Sequence, residues 1–243
     1  MVKNVIFNNI SFKNIKNINI KYLLHKKGLF VFPSGPGLSS INLNQKYFDA
    51  LKNSDHVFFD SGYFVALLKL LKGIKVFKLS GYKFLHHFFG YLKKNKNISL
   101  LSLDPSQKSK KINKNFFFKE IKIKSKHYVC PKYKMKDIVD KKLLGIVERT
   151  RPNIILINIG GGIQEILGLY LRNNLKFKPP IICTGAAISF YTHEQAPINK
   201  LFDKIYIGWF VRILFNPLVF LPRYFATIKL FFLVINSKIK SIK

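Results

Sequence analysis

Short apolar runs without polar alternation recur at 28–32, 56–60, 74–78, 98–103, 127–130, 154–159 and 181–184. Continuous runs of this length predict strands buried on both faces. Between them lie stretches with apolar residues at helical spacing, at 42–52, 63–71, 82–92, 136–149 and 164–175. Strand and helix in alternation predict an α/β fold: Rossmann-like, with a mainly parallel sheet and helices on both faces. The segment 106–126, Lys-rich around Phe116, Phe117 and Phe118, breaks this rhythm and reads as a connection between two halves. No internal repeat and no long Gly/Ser linker interrupts the pattern.

Beyond Lys200 the pattern changes. Eight basic residues and one acid, Asp203, accompany long apolar and aromatic stretches. Lys200, Lys204 and Arg212 share one helical face. The uncharged run 213–222 is 10 residues long and holds two prolines, well short of the roughly 20 a spanning helix needs. Apolar faces with basic edges and aromatics, Trp209 among them, predict a helix lying in a membrane interface; a terminal helix packed on the body is the competing reading. The chain therefore divides into an α/β body, 1–199, and a basic amphipathic helical appendage, 200–243. The polar, Asn/Lys-rich first 21 residues lack the apolar run of a secretory signal.

Composition sharpens this picture. With 243 residues and 48% apolar content, the chain can bury a full core. Cys130 and Cys183 are far apart in sequence, which excludes a disulfide scaffold and fits a reducing, cytoplasmic compartment. The 42 basic residues against 11 acidic give a net charge of +31, which favours anionic surfaces. Only five of the basic residues are arginines, and Asn, Ile and Phe abound, a composition that AT-rich coding would produce on solvated faces. A nucleic-acid-coating protein would interleave aromatics with basics; here the aromatics sit in apolar runs, and no nucleic-acid partner is expected.

In open parallel sheets ligands bind beyond the carboxyl ends of the strands, and three such ends carry unusual residues. Asp60 closes an apolar run and precedes Ser61-Gly62; it is placed either to face a crevice or to cap the following helix. Gly160, Gly161 and Gly162, between a strand and a helix, are either an anion cradle or a tight turn. Thr184 and Gly185, with Ala186 and Ala187, leave room for a ligand or for close helix packing. The adjacent His86 and His87 lie in an apolar helical run and read as a core or surface pair rather than a ligand pair. No HExxH, CxxC, GxSxG or P-loop pattern occurs, which removes metalloprotease, zinc-module, GxSxG-hydrolase and P-loop NTPase readings. No Asp-x-Asp pair is present either, so no metal is expected to hold a diphosphate.

The run from Ile157 to Glu165, with Gly160, Gln164 and Glu165, resembles the Gly-x-Pro-Lys-Gln-Glu block of the WecG/TagA/CpsF glycosyltransferases. Asp60 resembles that family's early strand-end Asp. Gly185-Ala186-Ala187 with Ala196-Pro197 resembles its later glycine-rich block. Trp209, Arg212, Pro217, Arg223 and Tyr224 fall at the spacings of its carboxy-terminal pattern. Ser61, Ser189, Gln195 and Gly208 depart from it, and Phe32-Pro33-Ser34 stands near its Thr-x-Asn. The resemblance implies transfer of a sugar, N-acetylmannosamine or a related hexose, from a UDP-sugar to a polyprenyl-diphosphate-linked acceptor at the inner face of the membrane. It implies Asp60 as general base and Gln164 as a hydrogen-bonding partner of sugar or acceptor. Lys78, Gly160, Gly161, Gly162, Glu165, Thr184 and Gly185 would hold the nucleotide, with Lys78 standing for the family's arginine. It implies no cofactor beyond the donor itself. A catalytically degenerate family member acting as a membrane scaffold is the alternative.

Overall fold

The computed structural model describes residues 3–135, 138–194, 214 and 217–242. Its centre is a nine-stranded sheet in the order β6-β5-β7-β8-β3-β4-β2-β1-β9. The strands are β1 Asn4–Phe7, β2 Ile10–Lys13, β3 Gly28–Val31, β4 His56–Phe58, β5 Leu100–Asp104, β6 Ser125–Val129, β7 Ile154–Ile157, β8 Pro180–Cys183 and β9 Lys240–Ile242. From β6 across to β2 all neighbours are parallel; β1 pairs antiparallel with β2 and with β9.

The expected α/β architecture is present, with differences at the edges. The run 74–78 is not a strand. The place beside β4 is taken by β2, with Phe12 opposite Val57, and the Phe77 N–H is satisfied by Asn14 Oδ1 instead (2.8 Å). The polar amino-terminal stretch supplies that edge through a tight hairpin. Asn8 and Asn9 both take positive φ, 47° and 61°, which asparagine tolerates and a two-residue hairpin turn requires. The segment 106–126 is ordered structure rather than a simple connection: helix α6, Gln107–Phe116, runs into a π-turn, Phe117–Ile121, and then into β6.

Two cores flank the sheet. On one face lie α2 (Gly35–Ser39), α3 (Gln45–Lys52), α4 (Gly62–Lys72), α7 (Lys141–Thr150) and α8 (Ile163–Asn174), packed through Leu38, Leu51, Leu68, Val147 and Leu167. On the other lie α1 (Ile20–His25), α5 (Gly81–Lys94) and the π-turn, packed through Leu23, Phe84, Phe88 and Phe117. Most of the chain's phenylalanines inside these cores touch one another. They are packing residues, not a stacking platform for bases.

The carboxy-terminal part returns to the body. Two helices, α9 (Pro217–Phe225) and α10 (Lys229–Asn236), lead into β9, which pairs with β1. Leu230 and Val234 are buried in the first core. Residues 195–213, which include Gln195, Ala196, Pro197, Gly208, Trp209, Phe210 and Arg212, lie outside the described residues, as does the Arg223 side chain.

Candidate functional site

The carboxyl ends of β4, β7 and β8 bring most of the singled-out residues into one chain of contacts. Asp60 follows β4 and is half-buried. Its Oδ1 accepts the N–H of Gly81, the first residue of α5, at 2.8 Å. The helix-cap role open to Asp60 belongs to its neighbour: Ser61 Oγ accepts from Phe64 N–H and caps α4. Gly81 in turn lies against Thr184 at the end of β8; a Cβ there would sit 3.2 Å from the Thr184 carbonyl oxygen. Gly185 takes a left-handed φ of 62°, and its N–H donates to Gln164 Oε1 (2.7 Å).

Gln164 and Glu165 open α8 beneath the glycine turn, and both are buried. Gln164 Nε2 donates to Glu165 Oε1 (2.9 Å), and the Gly162 N–H donates to Glu165 Oε2 (2.7 Å). Gly162 has a φ of 89°, and an added Cβ would meet Met135 Cε at 2.8 Å. Gly160 and Gly161 are exposed, with no atom within 4 Å of where a side chain would begin. The turn thus offers backbone to an approaching anion and is braced from below by Glu165. Lys78 lies two residues before Ser80, the N-cap of α5, and is half-buried.

Electrostatics tie the same residues together. Burial raises the Glu165 carboxyl from 4.5 to about 7; its hydrogen bonds oppose the rise and the nearby Asp60 adds to it. Burial, then Glu165 and Asp60, lifts the Tyr47 phenol well above its ordinary range. Burial and Glu165 do the same for the Cys183 thiol. Asp60, Glu165, Tyr47 and Cys183 therefore share one low-dielectric neighbourhood at the rim of the sheet.

A second polar cluster, not singled out from sequence, lies one strand further along. Asp104 ends β5, fully buried. Its Oδ1 accepts from Ser102 Oγ (2.8 Å) and Asn113 Nδ2 (2.7 Å), and its Oδ2 accepts from His127 Nδ1 (2.7 Å). Ser125 Oγ meets His127 Nε2 at 2.8 Å, and Asn158 Nδ2 donates to Ser102 Oγ at 2.9 Å. The signal was available: Asp104 closes an apolar strand just as Asp60 does.

A parallel sheet covered on both faces, with its polar residues and glycine turns gathered at the carboxyl rim, places the chain among Rossmann-like α/β proteins. Within that class the assignment is specific. The chain matches the glycosyl transferase WecG/TagA/CpsF family over residues 2–243 and belongs to that family. No individual curated protein matches it significantly. The chain is accordingly a glycosyltransferase. Among the described residues no helix is long and apolar enough to cross a membrane.

Proposed function

We propose that the chain transfers a sugar, N-acetylmannosamine or a related hexose, from a UDP-sugar to a polyprenyl-diphosphate-linked acceptor in the assembly of a cell-surface polysaccharide such as capsule or teichoic acid. The acceptor hydroxyl attacks the anomeric carbon as the bond to the UDP oxygen breaks, with inversion. Asp60 takes the hydroxyl proton, a step worth roughly 10²–10⁴-fold. The exposed backbone of Gly160 and Gly161, with Lys78 as a point charge, stabilises the departing diphosphate; the Gly162 N–H is taken by Glu165 and shapes the turn instead. Gln164 orients the sugar or the acceptor. The observation that carries the reading is the continuity from Asp60 through Gly81, Thr184 and Gly185 to Gln164 and the glycine turn. A carboxylate and an exposed glycine turn at one rim are the two parts that such a displacement needs.

The acceptor's lipid places the reaction at the inner face of the membrane. Leu218, Leu221, Phe225, Ile228, Phe232 and Ile235 follow one another at alternating steps of three and four residues, and each is at least 43% exposed. Lys229, Lys238 and Lys240 are exposed beside them. That is an apolar stripe with basic flanks, suited to peripheral contact with anionic lipid.

The decisive experiment is a screen of UDP-sugars against a short polyprenyl-diphosphate-GlcNAc analogue. Transfer from one donor is expected. Donor binding without transfer to any acceptor would favour the scaffold reading.

A further inference from the structure

Leu103 lies beside Ile157, and Ile157 beside Cys183. The next residues of these strands, Asp104, Asn158 and Thr184, therefore form one row across β5, β7 and β8. Successive side chains alternate between faces. The row shares the face of Ser102 and α5, opposite to Cys183, whose thiol contacts the Gln164 carbonyl oxygen. Chain direction also reverses here, with β5 leading outward to β6 while β7 leads inward to β8. This is the topological switch point at which open α/β sheets form a binding crevice.

Two atoms of the row are unsatisfied. Asn158 Oδ1 and Thr184 Oγ1 are buried and have no hydrogen-bond partner among the described residues. The Asn158 orientation is forced. Ser102 gives its only proton to Asp104, so its oxygen must receive the Asn158 amide N–H, which leaves Oδ1 as a bare acceptor. A buried acceptor without a partner is costly. Neighbouring strands set the two residues about 4.8 Å apart along the rim. An acceptor beside a hydroxyl donor complements a ligand edge that carries an N–H next to a carbonyl. The imide edge of uracil is such an edge. A trans N-acetyl amide turns its N–H and C=O to opposite sides and does not match both at once.

We propose that Asn158 and Thr184 are the base-reading residues of the donor site, with Asn158 Oδ1 accepting the uracil N3–H and Thr184 Oγ1 donating to an adjoining uracil carbonyl. Asp104, held by His127 and Asn113, is a positioning residue that fixes the Asn158 amide through Ser102. The inference rests on the UDP-sugar reading above. Both oxygens are sealed from solvent, so the competing occupant is an internal water.

The test is calorimetric titration of the full chain with UDP and with N3-methyl-UDP, which lacks the imide N–H. The wild type is expected to prefer UDP by about tenfold or more. Asn158→Leu should bring the ratio close to one. Thr184→Val keeps the side-chain shape and removes an unsatisfied group, so it should fold at least as well and bind UDP about five- to tenfold more weakly. Asp104→Asn should lower the UDP to N3-methyl-UDP ratio, a readout that a purely structural role would leave unmoved. UDP affinity unchanged in Thr184→Val, or a wild-type ratio near one, would overturn the inference and assign the oxygens to water, while the UDP reading survives. Failure of the wild type to bind any uridine nucleotide would overturn that reading, and this one with it.

Discussion

Glu165 allows the sharpest quantitative test of the site. It titrates near 7 in the folded chain against 4.5 as its ordinary value. Between those values the folded chain holds a proton that the unfolded chain has released. Stability from this group is therefore fully present below about pH 4.5 and is lost as the pH rises through 7. At about 1.36 kcal/mol per pH unit, the loss amounts to about 3 kcal/mol. His56 acts oppositely in nearly the same window. Burial first, then Lys13, pushes it from 6.5 down to about 4, so its contribution grows as the pH rises from about 4 to 6.5, by a similar amount. The wild-type profile alone would show the two cancelling. The variant Glu165→Gln isolates one of them. Both Glu165 oxygens accept from N–H donors, and an amide can accept from only one, so the variant carries a pH-independent deficit of about 1–2 kcal/mol. Urea unfolding of both proteins from pH 4.5 to 8 measures the rest. The stability of the wild type relative to the variant should fall by about 3 kcal/mol across that range. A difference that stays flat would show that Glu165 is not the buried titrating group, and the argument for a low-dielectric rim would fail with it.

Other outcomes follow from the same geometry. Asp60→Asn keeps an oxygen for the Gly81 N–H, so the fold and UDP affinity should hold within a few-fold while transfer falls by roughly 10²–10⁴; near wild-type turnover would remove Asp60 from the mechanism. With the diphosphate held by backbone and Lys78 as proposed, transfer should persist in EDTA; loss restored by Mg²⁺ or Mn²⁺ would contradict that proposal. The double substitution Phe225→Ser with Phe232→Ser, at side chains 63% and 59% exposed, should leave the melting temperature nearly unchanged. It should reduce co-sedimentation with anionic vesicles by about tenfold or more, from the apolar area lost. High salt should loosen the wild type without fully releasing it; unchanged sedimentation of the variant would assign binding to the charge of the body. Point substitutions are the right tool, since deleting the carboxy-terminal segment would also remove β9 and uncover the core around Leu230 and Val234.

What the sequence determined by itself is what depends on local pattern. Continuous apolar runs marked six of the seven parallel strands: β3, β4, β5, β7 and β8 are covered on both faces, while β6, at the sheet edge, is only partly buried and was marked by its short apolar end alone. The glycine turn at 160–162 and the strand-end Asp60 were visible because composition and spacing are local properties. The ordered set of motifs, from Asp60 to the Gln164-Glu165 pair, pointed to the family that the whole-chain match then showed. Features that depend on which distant segments meet were settled by packing. The edge beside β4 is a competition between two sequences, and the amino-terminal hairpin took it from 74–78. Asp60 does not cap α4, because Ser61 took that role; the packing of α5 instead brought the N–H of Gly81, at the start of that helix, to its carboxylate. Gln164 and Glu165 are fastened to Gly185 and Gly162, a pairing set by how α8 lies on the sheet. The row Asp104, Asn158, Thr184 comes from three runs up to 80 residues apart. No spacing rule joins those residues, because register across parallel strands is fixed by the packing of both faces rather than by distance along the chain.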